Sequence, residues 1–444
     1  MAVGVAAVLV GCSPPQPTPQ WQEPTDRIEG HVQLPGSAAN LPTALGPAFG
    51  GGVLVAEGPA THLTRVRPNG SVAYRHQIPA TLVLGAESND ARDLFVGTAG
   101  PGAAELWQES RAVVHRYRPD GAPDGEFGTA GVVELSPPPP ATTGPWWDDV
   151  PDPPATVAHA ASYRGLSTWV LVSQVTGSWS MQVTHDHWIA KLDRHGAPDA
   201  DWGDGGWTHL GRTTLRSAPT SFRAGRMAVA ADGSLIAALG GELGVAVGRV
   251  SPTGELLAWA PSVSANGGVN PGCDQHPNVD PFGIAVAGIT AYLAIAPRHP
   301  CLDHGIVALD GDLQPATGFG EGGVLSWPTQ AGAQPAIAAI GDLHRSDQWF
   351  RAPVIDGSGD LGLLSFDAVG ALEHPELPFG VQPIHPGGAD VPPLHLWQRH
   401  PVVPPYLHAG IAAAHGDALH LAGTVGGSAA PAGVFVMRVR DLPS

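Results

Sequence analysis

A strand that ends in a tight glycine turn recurs along this chain, and no other feature restricts its fold as much. The copies read LTRVRPNG (63–70), VVHRYRPDG (113–121), WIAKLDRHG (188–196), AVGRVSPTG (246–254), GIVALDG (305–311), LLSFDAVG (363–370) and VFVMRVRD (434–441). The first six turn glycines are spaced by 51, 75, 58, 57 and 59 residues, so the period is nearly constant apart from one long step. That step holds a Pro-rich insertion, SPPPPATTGPWWDDVPDPP (136–154). Two strand-like runs precede the aligned strand, as in FGIAVAG and AYLAIAP within 282–297, and a short one follows, as in GGVLSW (322–327).

Four antiparallel strands per repeat describe a propeller blade. Such a blade buries its apolar faces only against its neighbours, so the array must close into a ring or leave raw faces and strand edges exposed. The reading is an all-β, seven-bladed β-propeller of four-stranded antiparallel blades, with six blades as the alternative. Closure is also legible. The seventh copy stops after its third strand, while IEGHVQL (28–34) stands before the first copy as an orphan strand and is expected to complete the last blade.

Composition agrees with this reading. A chain of 444 residues with 43% hydrophobic content can bury one large core, and its Gly 59 and Pro 46 follow no collagen-like period. They read as punctuation between many short elements, and no segment sustains a capped helical periodicity. Lys+Arg 22 against Asp+Glu 40 gives a net charge of -18, which repels a phosphate backbone and argues against nucleic acid as a partner.

The segment VVHRYRPDGAPDGEFGTAGVVEL (113–135) resembles the delta-60 repeat family, propeller-like repeats of exported bacterial proteins. KLDRHGAPDADWGDGGWTHL (191–210) carries Trp202 where that pattern has Phe, and LDGDLQPATGFGEGGVLSW (309–327) retains Phe319-Gly320 and Gly322-Gly323. The other copies keep only the first turn and strand. The resemblance implies a fold and no catalytic residue. The residues themselves suggest a role for the motif: glycines allow left-handed turns, and the Phe or Trp can plug the end of each blade. Asp199, Asp201 and Asp204 with Gly205 loosely match a calcium loop but lack its acidic end position.

At the N-terminus, Leu9-Val10-Gly11-Cys12 resembles the lipobox of bacterial lipoproteins, which implies a lipid on Cys12. Residues 1–12 then form a lipoprotein signal segment, 13–25 (SPPQPTPQWQEPT) a Pro/Gln-rich tether, and 26–444 a single propeller domain. The apolar stretch is short and lacks preceding basic residues, so the natural start is expected upstream; an ordinary cleaved signal is the alternative. The expected location is the bacterial cell envelope, reached by export and held by the lipid anchor. Cys273 and Cys301 are expected to form a disulfide.

In a propeller, loops after second and fourth strands emerge on one face. Residues 98–110, 175–187, 297–304 and 424–432 follow second strands, whereas 136–154, 261–281 and 375–408 follow fourth strands, so the long loops share a face. That face is expected to carry Trp107, Trp146, Trp147, Trp179 and Trp397, with His185, Asp186, His187, His299, His304, His385, His395 and His400. Exposed indoles stack on sugars or apolar groups, and paired imidazoles such as His185 and His187 are weak candidates for a metal. The alternative is that the indoles pack the loops onto the disc. No nucleophile elbow, zinc-protease helix or phosphate loop occurs, and no cofactor is expected. The leading expectation is a monomeric, lipid-anchored, non-enzymatic scaffold that binds an envelope protein or glycan. Its rival is a propeller enzyme, a metal-dependent lyase or hydrolase or a cofactor-dependent dehydrogenase, with its site at the central opening.

Overall fold

The computed structural model describes residues 28–34, 41–58, 61–78, 81–89, 92–100, 110–138, 155–164, 167–178, 182–215, 225–241, 244–264, 279–297, 304–327, 337–346, 348–356, 361–375, 381–383, 411–413, 418–425 and 433–440. The fold is an all-β propeller of four-stranded antiparallel blades. Blade 1 is Leu41–Ala48, Gly52–Gly58, His62–Val66 and Val72–Gln77. Blade 2 is Thr81–Ser88, Asp93–Ala99, Arg111–Tyr117 and Val132–Leu135. Blade 3 has the longest strands, Ala155–Arg164, Ser167–Ser178, Gln182–Leu192 and Trp207–Leu215. Blade 4 follows with Arg226–Val229, Leu235–Gly240, Val245–Val250 and Leu256–Val263. Blade 5 is Val279–Ala287, Thr290–Pro297, His304–Leu309 and Val324–Trp327. Blade 6 is Ile337–Ile340, Trp349–Asp356, Leu361–Phe366 and Val381–Pro383, with a short extra strand, His344–Ser346, on its second strand.

These six blades are each contiguous in sequence. The chain ends meet in a further, composite sheet in which Ile28–Gln33 pairs antiparallel with Gly433–Arg440, followed by Ala418–Val425 and Ile411–Ala413. Leu34 and Val436 bury themselves against Val53, Val55 and Val66 of blade 1. The contiguous count is therefore six, the number weighed as the alternative; a count of seven holds only with the composite sheet taken as a blade.

Burial explains the sequence pattern of each strand. Gly52–Gly58, Val245–Val250 and His304–Leu309 are buried at every position, because a middle strand is covered on both faces by neighbouring blades. The fourth strand of blade 4, LLAWAPSV, is largely exposed because it forms the rim. On the innermost strands, blades 1, 2, 3, 5 and 6 share one register shift, which leaves Thr43, Leu84, His159, Phe282 and Ala338 as the extra residues.

The aromatic-glycine motif joins one blade to the next. Gly128, Gly203 and Gly320 donate their N–H groups to the carbonyls of His195, Thr253 and Val369, each the residue before the turn glycine of the following blade, at 2.8, 2.9 and 3.0 Å. The preceding Phe127, Trp202 and Phe319 are fully buried over those turns. A Cβ on Gly254 would stand 2.4 Å from the Gly203 nitrogen, and one on Gly196 would stand 2.9 Å from the Phe127 ring. Those turn glycines are thus required twice over, by their left-handed φ of 91° and 85° and by the plug of the blade before.

Three expectations on turns and boundaries need correction. In blade 5 the left-handed turn residue is Leu313 (φ 60°), not Gly311, because Leu313 N–H closes the turn onto Asp310 and Asp310 N–H bonds Gln314. The repeat period places this turn 59 residues after Gly254 and 57 before Gly370. Residues 175–187 are mostly strand, since the second and third strands of blade 3 run on to Ser178 and from Gln182. Similarly, Val381–Pro383 is the fourth strand of blade 6, so the insertion after it begins at 384 and not at 375.

Candidate functional site

Strand ends decide which face carries the insertions. In an antiparallel blade the second and fourth strands end on the same side, and the segments 100–110, 136–154, 216–224, 265–278, 298–303, 328–336, 384–410 and 426–432 all start from such ends. The opposite side carries the repeated turns. Trp107, Trp146, Trp147, Trp179 and Trp397 lie outside the described residues, as do Cys12, Cys273, Cys301, His299, His385, His395 and His400. Of the candidates, the structure places His185, Asp186, His187 and His304.

His185 and His187 project to the same side of blade 3, with ring centroids 6.0 Å apart and planes 20° from parallel, as alternation on a strand dictates. That side faces blade 4: Leu171 and Ile189 share it and pack with Leu235 and Ala237, while Trp259 lies 6.1 Å from the His187 ring. Here a hydrogen-bonded row crosses the whole blade. His159 Nε2 meets Ser173 Oγ, Ser173 Oγ meets His187 Nδ1, and His187 Nε2 meets Thr213 Oγ1, each at 2.7 Å. His159, Ser173 and His187 are all buried. Ser173 has one proton for two imidazole nitrogens, so it donates to one ring and accepts from the other. The row begins at the bulge residue of the innermost strand and ends on the rim strand, a connection that residue spacing does not reveal.

Asp186 points the other way. Its carboxylate, fully buried, takes both Arg212 Nε and Nη2 at 3.0 Å and lies 3.2 Å from His209 Nε2. Burial pushes this carboxyl up, but the hydrogen bonds from His209 and Arg212 and their charge outweigh it and hold it below the usual range. Asp186 is therefore a structural anion, and it does not converge with the two imidazoles.

These groups are poorly arranged for a metal. Both ring nitrogens of His187 are engaged by hydroxyls, and among the described residues no three His, Cys, Asp or Glu side chains converge on one point. Asp199 pairs with Lys191 at 2.8 Å and receives the Asp201 N–H at 3.3 Å, a local turn arrangement. His304, at the start of the third strand of blade 5, is buried, and its pKa is pushed down to about 4 by desolvation, which keeps it neutral.

No family model and no curated protein matches the sequence. A protein of unknown function from Dyadobacter fermentans superposes with a TM-score of 0.41 at 10% identity, over 94% of this chain and 99% of that one. One of unknown function from Bacteroides caccae gives 0.34 at 12%, over 76% and 93%. A quinonprotein alcohol dehydrogenase-like protein from Bacteroides thetaiotaomicron gives 0.37 at 11%, over 73% and 62%. Likenesses this distant transfer neither residue roles nor ligands, and the fold rests on the strand pairing itself.

Proposed function

We propose that this chain is an exported, lipid-anchored, non-enzymatic propeller that binds an envelope protein or glycan through its insertion-bearing face. The single observation that carries the reading is the division of labour between the two sides. The repeated turns are consumed in blade-to-blade contacts, and every long insertion starts from a strand end on the other side. Irregular segments held by a rigid frame are where recognition concentrates. Cys12 as the lipid site, the Cys273–Cys301 disulfide, the delta-60 character of the repeats and the composite sheet as a seventh blade belong to the same reading.

Substituting Trp146, Trp147 and Trp397 together tests it: capture of envelope components by the full chain is expected to fall while thermal unfolding stays unchanged. Unchanged capture overturns the reading. Mass analysis of protein from its native membrane is expected to show diacylated Cys12; a stoichiometric metal in the same sample shifts the weight to an enzyme. Deleting residues 26–36 is expected to expose the edge of Gly433–Arg440 and cause aggregation, whereas a monomer with unchanged melting removes the seventh blade.

A further inference from the structure

The turn-bearing side is regular except at blade 6. There the hairpin formed by His344–Ser346 and the start of Trp349–Asp356 adds the one fifth strand found in any sheet of the described residues. Beside it, where Asp367–Val369 turns after the third strand, lies an open cleft of about 330 Å³ lined by Arg345, Gln348, Trp349, Asp367, Ala368 and Val369. We infer that this cleft is a binding site for one neutral pyranose ring, distinct from the insertion-bearing face.

The chemistry of the lining selects the ligand. Arg345 is exposed; among the described residues its one hydrogen bond is a long one, 3.5 Å from Nη1 to the Val286 carbonyl, and its guanidinium lies 5.9 Å from the Phe350 ring. Among the described residues no carboxylate pairs with it, and the side chains of Gln348 and Trp349 have no hydrogen-bond partner. Asp367 spends one oxygen, Oδ1, on the N–H groups of Val369 and Ala371 at 3.0 and 2.8 Å, which leaves Oδ2 as an acceptor. The same lining thus offers polar groups together with apolar ones, Trp349, Phe350, Ala287 and Val369, the last a residue 60% exposed.

Elimination narrows the occupant further. A purely apolar ligand would desolvate Arg345 and Asp367 with nothing in return. An anion would meet the Asp367 carboxylate, and a cation would meet Arg345. A neutral polyol with a flat C–H face satisfies both ends, hydroxyls to the charged and amide groups and ring face to the indole. The cleft volume stands near the lower limit for small-molecule sites, about 300 Å³, which suits a single ring.

The test uses ligand-observed saturation-transfer NMR on the full chain with the methyl pyranosides of glucose, galactose, mannose and N-acetylglucosamine. At least one is expected to show transfer to its ring protons, with affinity about tenfold weaker in Arg345→Ala and Trp349→Ala. Arg345→Ala and a third variant, Gln348→Ala, which is also expected to weaken binding, alter exposed side chains, so the fold is expected to survive in both, as melting curves will show. The Trp146/Trp147/Trp397 variant is expected to keep this transfer. Absence of transfer from all four sugars overturns the inference, as does transfer undiminished in the cleft variants. Sugar binding lost only in the tryptophan triple variant also overturns it, and would support the insertion-bearing face instead.

Discussion

Blades 2, 3 and 5 carry the aromatic-glycine motif and blades 1 and 4 do not, and the two kinds of interface solve one packing problem differently. Where the motif is present, Phe127, Trp202 or Phe319 fills the space over the next turn, and that turn must hold a glycine. Where it is absent, something else fills the space. Between blades 1 and 2 the filler is Tyr74 with His76, which crowd Gly121 from the rim strand of blade 1. Between blades 4 and 5 the turn residue supplies its own plug: Leu313 adopts the left-handed conformation and buries its side chain in the cluster shared by the two blades. The missing motif and the displaced glycine are thus one event.

The interface between blades 1 and 2 also concentrates charge. Arg65 Nη1 reaches both oxygens of Asp93 at 2.6 and 2.8 Å, Tyr74 Oη donates to Oδ2 at 2.9 Å, and Ser88 Oγ donates to Oδ1 at 2.8 Å. Asp93 is fully buried and the Arg65 side chain is 10% exposed. Asp93→Ala strands that guanidinium without an anion, so a loss of about 3–5 kcal/mol is expected in urea unfolding. The double replacement Arg65→Met with Asp93→Leu should recover much of it. If the single variant unfolds like the wild type, charge is not what holds this interface.

His115 makes the same interface sensitive to acid. Its ring lies 6.5 Å from that of Tyr117 on the same strand, which in turn packs 6.0 Å from the Tyr74 ring of blade 1, and burial lowers the His115 pKa from 6.5 to about 4. The native state therefore keeps it neutral while the unfolded chain takes up a proton below pH 6.5. No stability is lost above that pH; between pH 6.5 and 4 the loss accumulates to about 3 kcal/mol. His304, lowered to about 4 by the same cause, adds a comparable loss. Asp124, whose burial is outweighed by Arg92 and Arg116, and Asp186 are held low, so they lose stability only as pH falls below the unfolded carboxylate value. His344, lowered by burial, pulls the same way, so urea unfolding across pH 4–7 should show His115→Phe with a clearly shallower slope than the wild type. An unchanged slope removes His115 from the account.

The latched interfaces respond to a smaller insult. Gly254→Ala imposes the left-handed cost of about 1–2 kcal/mol and presses a methyl onto Gly203, a total of roughly 3 kcal/mol. Trp202 then cannot keep its 3.0 Å bond to the Pro252 carbonyl without a shift of the turn. A melting temperature within error of wild type would show that the plug has slack.

What the sequence made legible follows from where each signal sits. A turn glycine, the Phe or Trp behind it and the orphan strand Ile28–Gln33 are local patterns, so repetition exposes them. Partners drawn from different blades leave no such trace. Arg65 and Asp93 are 28 residues apart, and Arg116 bonds the carbonyl of Arg194, 78 residues away. Within one blade the pair can be seen afterwards: Arg116 with Asp124 and Lys191 with Asp199 stand eight apart, and in blade 5 both positions are alanine, Ala308 and Ala316. The His159–Ser173–His187–Thr213 row needed the strand register, and the bulge at His159 breaks the alternation that would have pointed to it. The blade 6 cleft escaped because its hairpin interrupts the repeat and Arg345, Gln348 and Trp349 match no motif.

Leu313 offers the finest test of the comparison, because two effects oppose each other there. Leu313→Gly relieves a left-handed strain of about 1–2 kcal/mol but removes a side chain only 3% exposed and adds the flexibility of glycine to the unfolded chain. Truncating an ordinary buried leucine costs about 2–5 kcal/mol, so the expected net loss is only about 1–2 kcal/mol. Leu293→Ala, in the same cluster, supplies the unstrained reference. If Leu313→Gly costs as much as Leu293→Ala, the turn stores no strain and the leucine was never a compromise. A smaller cost means that the side chain is retained for the space it fills, which the missing aromatic of blade 4 would otherwise have occupied.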